Sequence, residues 1–170
     1  MNEELLDKLR DPDPEVRAFA AYYLKNLAGE EAIEPLIVAA GDPEAPVRQG
    51  AVHSLAVLGF RTGQGRVVGH VEYALGDPST EVRREAAMAL GAWLSGMVDD
   101  GRTVRSLIKT LKDPDPEVAE RAAFALERIY DRRGSYDLAR PLLEARDDVD
   151  PAIRQKVRAI LAKAIRIEDG

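Results

Sequence analysis

Asp11-Pro12-Asp13-Pro14-Glu15-Val16-Arg17 is the stretch on which the fold turns. Asp-Pro ends a helix, because the residue before a proline is pushed out of the α region. Asp13 then stands where an N-cap carboxylate accepts the free N–H groups of a new helix. Pro14 suits the first helical position, where no N–H is needed. Glu15 falls in the first turn, where the helix dipole favours an acid. The phrase is a turn that launches a helix.

The phrase recurs as Asp42-Pro43-Glu44-Ala45-Pro46-Val47-Arg48, Asp77-Pro78-Ser79-Thr80-Glu81-Val82-Arg83 and Asp113-Pro114-Asp115-Pro116-Glu117-Val118-Ala119. A degenerate copy is Asp148-Val149-Asp150-Pro151-Ala152-Ile153-Arg154. The anchors Val16, Val47, Val82, Val118 and Ile153 lie 31, 35, 36 and 35 residues apart. Ser79, Asp115 and Asp150 take the capping place of Asp13, and Pro116 and Pro151 that of Pro14. Apolar residues follow each anchor at +4, +8 and +11: Ala20, Leu24 and Leu27; Ala51, Leu55 and Leu58; Ala86, Leu90 and Trp93; Ala122, Leu126 and Ile129; Val157, Leu161 and Ala164. That spacing is one stripe of a helix. A second helical pattern precedes each turn, through Leu5, Leu6 and Leu9; Ile33, Leu36 and Ile37; Val68, Val71 and Leu75; Val104, Leu107, Ile108 and Leu111; and Leu142 and Leu143. No run reads as a strand.

A lone helical hairpin cannot bury its apolar stripe, so such units stack into one continuous core. The expectation is an all-α solenoid of about five hairpins and about ten helices. It spans 1–170 as a single domain, with repeats near 2–28, 30–60, 65–97, 102–131 and 136–167. The links Gly59–Gly65, Val98–Arg102 and Arg132–Ser135 join repeats, with Gly59 expected as a helix C-cap.

The phrase D-P-x-x-x-V-R, followed by an Ala-rich helix with Leu, resembles the HEAT repeat, and within it the short type called PBS-lyase HEAT-like. The resemblance runs over residues 5–165. It implies a right-handed, armadillo-like superhelix with the first helix of each repeat outside and the second on the concave side. It also implies an Asp/Arg ladder along the stack, with acids Asp11, Asp42, Asp77, Asp113 and Asp148 and bases Arg17, Arg48, Arg83 and Arg154. Ala119 interrupts this ladder, so a re-routed contact is expected there.

Composition bounds the function. Hydrophobic residues make up 45% of the chain, charged residues 32% and aromatics 5%, as suits a soluble helical protein with a core of Ala, Leu, Val and Ile. The net charge of −6 disfavours a general grip on nucleic-acid phosphates. Residues 1–60 hold 11 acids and 5 bases, whereas 151–167 hold Arg154, Lys156, Arg158, Lys163 and Arg166 with no acid. The absence of cysteine excludes disulfides and thiolate metal sites. No signal peptide or membrane span is read, so the expected location is cytoplasmic.

Catalytic readings fare poorly. The Asp/Arg pairs repeat with the fold, whereas a catalytic site breaks symmetry. The HEAT-like deoxyhypusine hydroxylases bind iron through His-Glu pairs, but here His53 precedes Ser54 and His70 precedes Val71. No metal or other cofactor is expected. Gly63-Gln64-Gly65-Arg66-Val67-Val68-Gly69 follows a helix and lacks the Lys-Ser/Thr of a phosphate loop, so it reads as a link. No serine sits in a recognisable triad motif.

A different surface stands out. Position +6 lies about 200° round the helix from each anchor's stripe. It holds Tyr22, His53, Met88, Phe124 and Ala159, mostly large aromatic or soft side chains. Phe19, at +3, extends the stripe, and Glu85, Arg121 and Lys156 at +3 read as its charged margin. The same residues could instead pack between helices. The expected function is a non-enzymatic scaffold holding a peptide or protein on its concave face, either monomeric or weakly self-associating end to end. Two alternatives come from the resemblance: an accessory or subunit of a phycobilin lyase, or a nucleic-acid-binding HEAT-like protein such as the HEAT-like DNA glycosylases. The latter needs a basic concave stripe. Positions +2, +6 and +9 offer only Lys25 and Arg84 as bases, offset by Glu120 and Glu127.

Overall fold

The computed structural model describes residues 2–27, 29–98, 101–133, 136–148 and 150–168. Ten α-helices follow one another: α1 (Asn2–Asp7), α2 (Pro14–Leu27), α3 (Ile33–Ala39), α4 (Ala45–Thr62), α5 (Val67–Tyr73), α6 (Thr80–Ala92), α7 (Gly101–Thr110), α8 (Pro116–Arg133), α9 (Tyr136–Ala145) and α10 (Pro151–Glu168). They pair as five hairpins, with no strand among the described residues. Short 3-10 turns extend α1 and α5 and introduce α3.

Helices α2, α8 and α10 begin on Pro14, Pro116 and Pro151. Asp13 caps α2 by accepting the Glu15 N–H at 2.9 Å, and Asp115 and Asp150 accept the N–H groups of Val118 and Ala152 at 3.0 and 2.8 Å. Ser79 corrects the expectation. Its backbone is extended as a cap should be, but its hydroxyl donates to the Glu81 carboxylate at 2.7 Å and caps no N–H.

Gly59 is a second correction. Helix α4 runs on to Thr62, and the chain turns at Gly63 with φ of 71°. Gly59 is buried inside the helix, where an added Cβ would lie 2.3 Å from Val67 Cγ2. The Gln64 N–H closes the helix end on the Gly59 carbonyl at 2.9 Å. Helix α6 also stops early, at Ala92, leaving Trp93 in a turn. Asp99, Asp100, Gly134 and Ser135, in the two other links, lie outside the described residues.

One cluster of buried apolar residues runs from Leu5 to Leu161. It includes the expected stripe residues Ala20, Leu24, Ala51, Leu55, Leu58, Ala86, Leu90, Ala122, Leu126, Ile129, Val157 and Leu161. The side chains of Leu27 and Ala164 lie outside the described residues. Burying each Leu or Ile of this stripe contributes roughly 1.5–3 kcal/mol. The second helices α2, α4, α6, α8 and α10 pack closely in sequence, each on the next. Small residues permit that approach: a Cβ on Gly91 of α6 would come within 2.8 Å of the Ala125 Cα of α8. In the N-terminal half the first helices are splayed by comparison, whereas α7 and α9 pack on one another. Clefts of about 520 and 540 Å³ open beside Val38 and Tyr73, between successive first helices. A layer packed at closer spacing sits on the inside of the bend, so the second helices line the concave side.

Side-chain hydrogen bonds set the repeat register. Arg17 donates from Nε and Nη2 to both carboxylate oxygens of Asp42, at 2.8 and 3.0 Å. Arg48 holds Asp77 in the same way at 2.7 and 2.8 Å, and Arg83 holds Asp113 at 2.7 and 3.0 Å. The third nitrogen, Nη1, turns back to the carbonyls of its own launching turn: Asp11 and Pro12, Asp42 and Pro43, Asp77 and Pro78. Each acid also accepts the N–H two positions on, as Asp77 does from Ser79 at 2.8 Å. Asp148 accepts the Asp150 N–H, and Arg154 Nη1 donates to the Asp148 carbonyl at 2.6 Å. At the Ala119 gap the contact is re-routed. Lys112 pairs with Asp150 at 2.6 Å, and Lys156 Nζ donates to the Leu111 carbonyl at 2.6 Å.

Burial alone would push the Asp77 carboxyl up, but the Arg48 guanidinium, the Ser79 N–H and the charges of Arg48 and Arg83 hold it below its ordinary value. Asp42 and Asp113 are held down in the same manner. A carboxylate whose folded pKa is depressed stabilises the fold above its unfolded pKa, about 3.9 for Asp. That stabilisation is lost as pH falls through the lower, folded value. Denaturant melts are therefore expected to show no contribution from these groups to pH dependence between about pH 7 and 5, and a steep loss of stability below about pH 4. Asp77→Asn removes one linked proton and should flatten that acid limb; an unchanged limb would contradict the assignment.

Candidate binding face

The side chains at position +6 project from the concave layer, but they differ in what they do. Tyr22 and Phe124 are 44% and 47% exposed, at equivalent places three repeats apart. His53 lies between α2 and α6. Its ring stacks on Tyr22 with centroids 5.1 Å apart, and its Nδ1 lies 2.7 Å from Glu85 Oε1. Lys25 Nζ sits over the Tyr22 ring, 3.1 Å from its centroid. Met88 is half-buried and lines a shallow depression of about 200 Å³ with Gln49, Arg84, Glu85, Glu117 and Arg121. Ala159 is exposed on α10.

Position +3 corrects the sequence reading. Glu85 is buried against His53, Arg121 bonds back to Glu117 at 2.6 Å, and Lys156 bonds to Leu111. These side chains join helices or brace their own helix and form no open charged margin. Phe19 adjoins the +6 line through Tyr23. It is 52% exposed, and its ring meets that of Tyr23 at 4.3 Å.

Sequence reasoning missed Tyr23, which is 42% exposed and touches Tyr22 edge-on at 5.5 Å. Its signal was a bulky ring at +7, where the later repeats hold Ser54, Ala89, Ala125 and Ile160. The Phe60–Trp93 pair, with centroids 5.8 Å apart, was missed as well. Arg84 is not a free base of the concave face. It is spent on Asp115 at 2.7 Å and Glu117 at 3.2 Å, and this pairing with the cap bonds holds the Asp115 carboxyl down to about 2. Among the described residues no group of three or more His, Asp or Glu is placed to hold a metal ion. No helix among them is long and apolar enough to cross a membrane.

Residues 2–64 and 67–162 match the family model for HEAT repeats. The chain belongs to the HEAT-repeat family. None of the curated proteins matches it by sequence. Among solved structures, this HEAT stack is similar to a chain of the CpcE–CpcF complex of phycocyanin lyase from Nostoc, at 21% identity and a TM-score of 0.66, covering 98% of this chain and 65% of that one. It is similar to YibA of E. coli at 23% identity and a TM-score of 0.67, covering 99% and 62%. It is also similar to a designed armadillo repeat protein in complex with the peptide (KR)4, at 18% identity and a TM-score of 0.59, covering 94% and 80%. The chain thus spans somewhat under two thirds of the first two relatives' length. At these identities the likeness is one of fold, a helical-repeat solenoid.

His53 in this HEAT stack couples two neighbouring repeats. His53→Ala should destabilise by about 2–3 kcal/mol, because Glu85 is left buried without its partner. The double variant with Glu85→Ala should lose less than the two single losses added. A loss for His53→Ala within about 0.5 kcal/mol in denaturant melts would assign it to an ordinary surface position.

Proposed function

We propose that this HEAT-repeat chain is a non-enzymatic cytoplasmic scaffold that holds a peptide or protein along its concave face. The observation that carries this reading is the pair of half-exposed rings at equivalent positions, Tyr22 and Phe124. Between them lie His53 and Met88. Rings on a rigid helical layer give contact area at little conformational cost, and aromatic and Met side chains are favoured in interfaces. The charges beside Met88 are of both signs, as Arg84, Arg121, Glu85 and Glu117 show. Both arginines are already paired with acids, which suits a mixed polypeptide surface better than a phosphate backbone. The similar solenoids named above include one solved as a two-protein complex and one solved with a peptide, and this supports a partner-holding role here.

A tagged pull-down from native lysate, run with the wild type and with Tyr22→Ala/Phe124→Ala, tests the reading. Each ring is expected to carry about 2 kcal/mol, so the double variant should lose far more than tenfold in affinity while keeping its helical circular dichroism. A partner retained equally by the folded double variant would move the site off the concave layer.

A further inference from the structure

We propose that the outer face of α5 and α7 docks an acidic helical segment of a partner protein, which sets its carboxylates on Arg102, Arg105 and Lys109 and an apolar edge on Tyr73. This surface lies in the middle of the stack, on the layer opposite the Tyr22–Phe124 line.

Every exposed residue of α7 is a base. Arg102, Arg105 and Lys109 recur three and four residues apart, which places them on one side of the helix, and exposed Lys112 follows in the turn. Helices α5 and α7 hold one acid between them, Glu72, and it is turned in. Its carboxylate accepts from the Thr103 and Ser106 hydroxyls at 3.1 and 2.8 Å and meets Arg102 at 3.2 Å. Lys112 is paired with Asp150, whereas Arg105 and Lys109 meet no acid among the described residues. The other first helices differ: α1 carries Glu3, Glu4 and Asp7, α3 carries Glu34, and α9 pairs Arg140 with Glu144. A chain of net charge −6 thus gathers a patch of the opposite sign at one place in its outer layer.

An apolar site adjoins the bases. Tyr73 ends α5 and is 89% exposed. Tyr73 and Lys109 each stand nine positions before their anchors, Val82 and Val118, so they share one height on neighbouring helices. Arg102 lies against α5 at Gly69, where an added Cβ would be 3.4 Å from its Nη2. Beside Tyr73 opens the cleft of about 540 Å³, whose wall includes Ile37, Ala40 and Ala74.

The spacing fits a helix. At a rise of about 1.5 Å per residue the three bases stand about 4.5 and 6 Å apart along α7, close to the pitch of about 5.4 Å on which a partner helix repeats carboxylates at i, i+4 and i+7. Residues on one side of a strand stand farther apart, at roughly 6.6 Å. A helix with its side chains is about 10–12 Å across, so one laid over α5 reaches the α7 bases with one edge and Tyr73 with the other. A phosphate polymer suits this surface less well. The whole chain repels it, Arg102 is already shared with Glu72, and the bases stand on the outer, convex layer and line no groove.

A fluorescent helical peptide with glutamates at i, i+4 and i+7 and a row of leucines beside them is the probe, read by anisotropy. The wild type should bind it at low salt and more weakly as salt rises, because screening weakens charged contacts. Arg105→Glu/Lys109→Glu should lose more than about tenfold in affinity, since like charges would then face each other. Tyr73→Ala should lose severalfold. Tyr22→Ala/Phe124→Ala should bind as the wild type does, which separates this surface from the concave one. A peptide of the same composition with its glutamates spread round the helix should bind clearly more weakly. Circular dichroism confirms that the variants fold, and Arg105→Ala/Lys109→Ala replaces the charge reversal if that variant does not. No binding by the wild type would overturn the proposal, as would equal binding of the rearranged peptide or undiminished binding by the charge-reversed variant. Tighter binding of a short single-stranded DNA or of phosphatidylserine vesicles would also overturn it, by making the patch a site for phosphates.

Discussion

In each of the first three repeats one guanidinium does three jobs, and the rest of the stack depends on it. Arg48 grips both oxygens of Asp77 in the next repeat while its third nitrogen holds the Asp42 and Pro43 carbonyls in its own turn. Asp77 in turn accepts the Ser79 N–H and so shapes the turn that launches α6. Turn, helix start and repeat register are thereby fixed by a single bidentate pair, the strongest geometry available to Arg and a carboxylate. Both side chains are largely buried, so water and salt compete with the pair only weakly. The core around it is rich in Ala, Leu and Val, and such packing tolerates many arrangements of similar volume. Directional polar bonds supply the specificity that this core lacks.

The consequence is a layer of second helices at close spacing. Close spacing leaves room for glycine or a small side chain where one helix crosses the next, and it turns position +6 away from the core. Large side chains therefore recur across repeats on the concave surface. The ladder also defines the ends. Inside the stack each acid from Asp42 to Asp113 meets an arginine from the preceding repeat, and Asp11 marks where that series begins. The last junction, at Ala119, is held instead by Lys112 and Lys156, whose single charged contacts lack the planar fork of arginine.

Much of this was legible in the sequence because its causes are local. Pro14, Pro116 and Pro151 open helices by their fixed φ, and the anchor spacing exposes the repeat without any tertiary information. The ladder acids and bases followed from the resemblance, and the gap at Ala119 followed from its missing side chain. What could not be read depended on neighbours in space. The period of a helix says which way Glu85 points, but not that His53 of the preceding repeat stands there to bond it. Gly59 reads as a helix end, since nothing local shows that Val67 packs against it and that Gly63 makes the turn. Ser79 keeps a cap's backbone, yet Glu81, two positions on, competes for its hydroxyl. Tyr23, which joins Phe19 to Tyr22, went unread because it belongs to a position that is small in most later repeats.

A double-mutant cycle on Arg48 and Asp77, read by denaturant unfolding and set beside the same cycle on the more exposed Arg84 and Asp115, tests the ladder most directly. If the guanidinium–carboxylate pair fixes the repeat register, Arg48→Ala and Asp77→Ala should couple by about 2 kcal/mol or more, and the second pair by clearly less. Losses for Arg48→Ala and Asp77→Ala that add to within about 0.5 kcal/mol would show that the apolar core sets the register without the ladder.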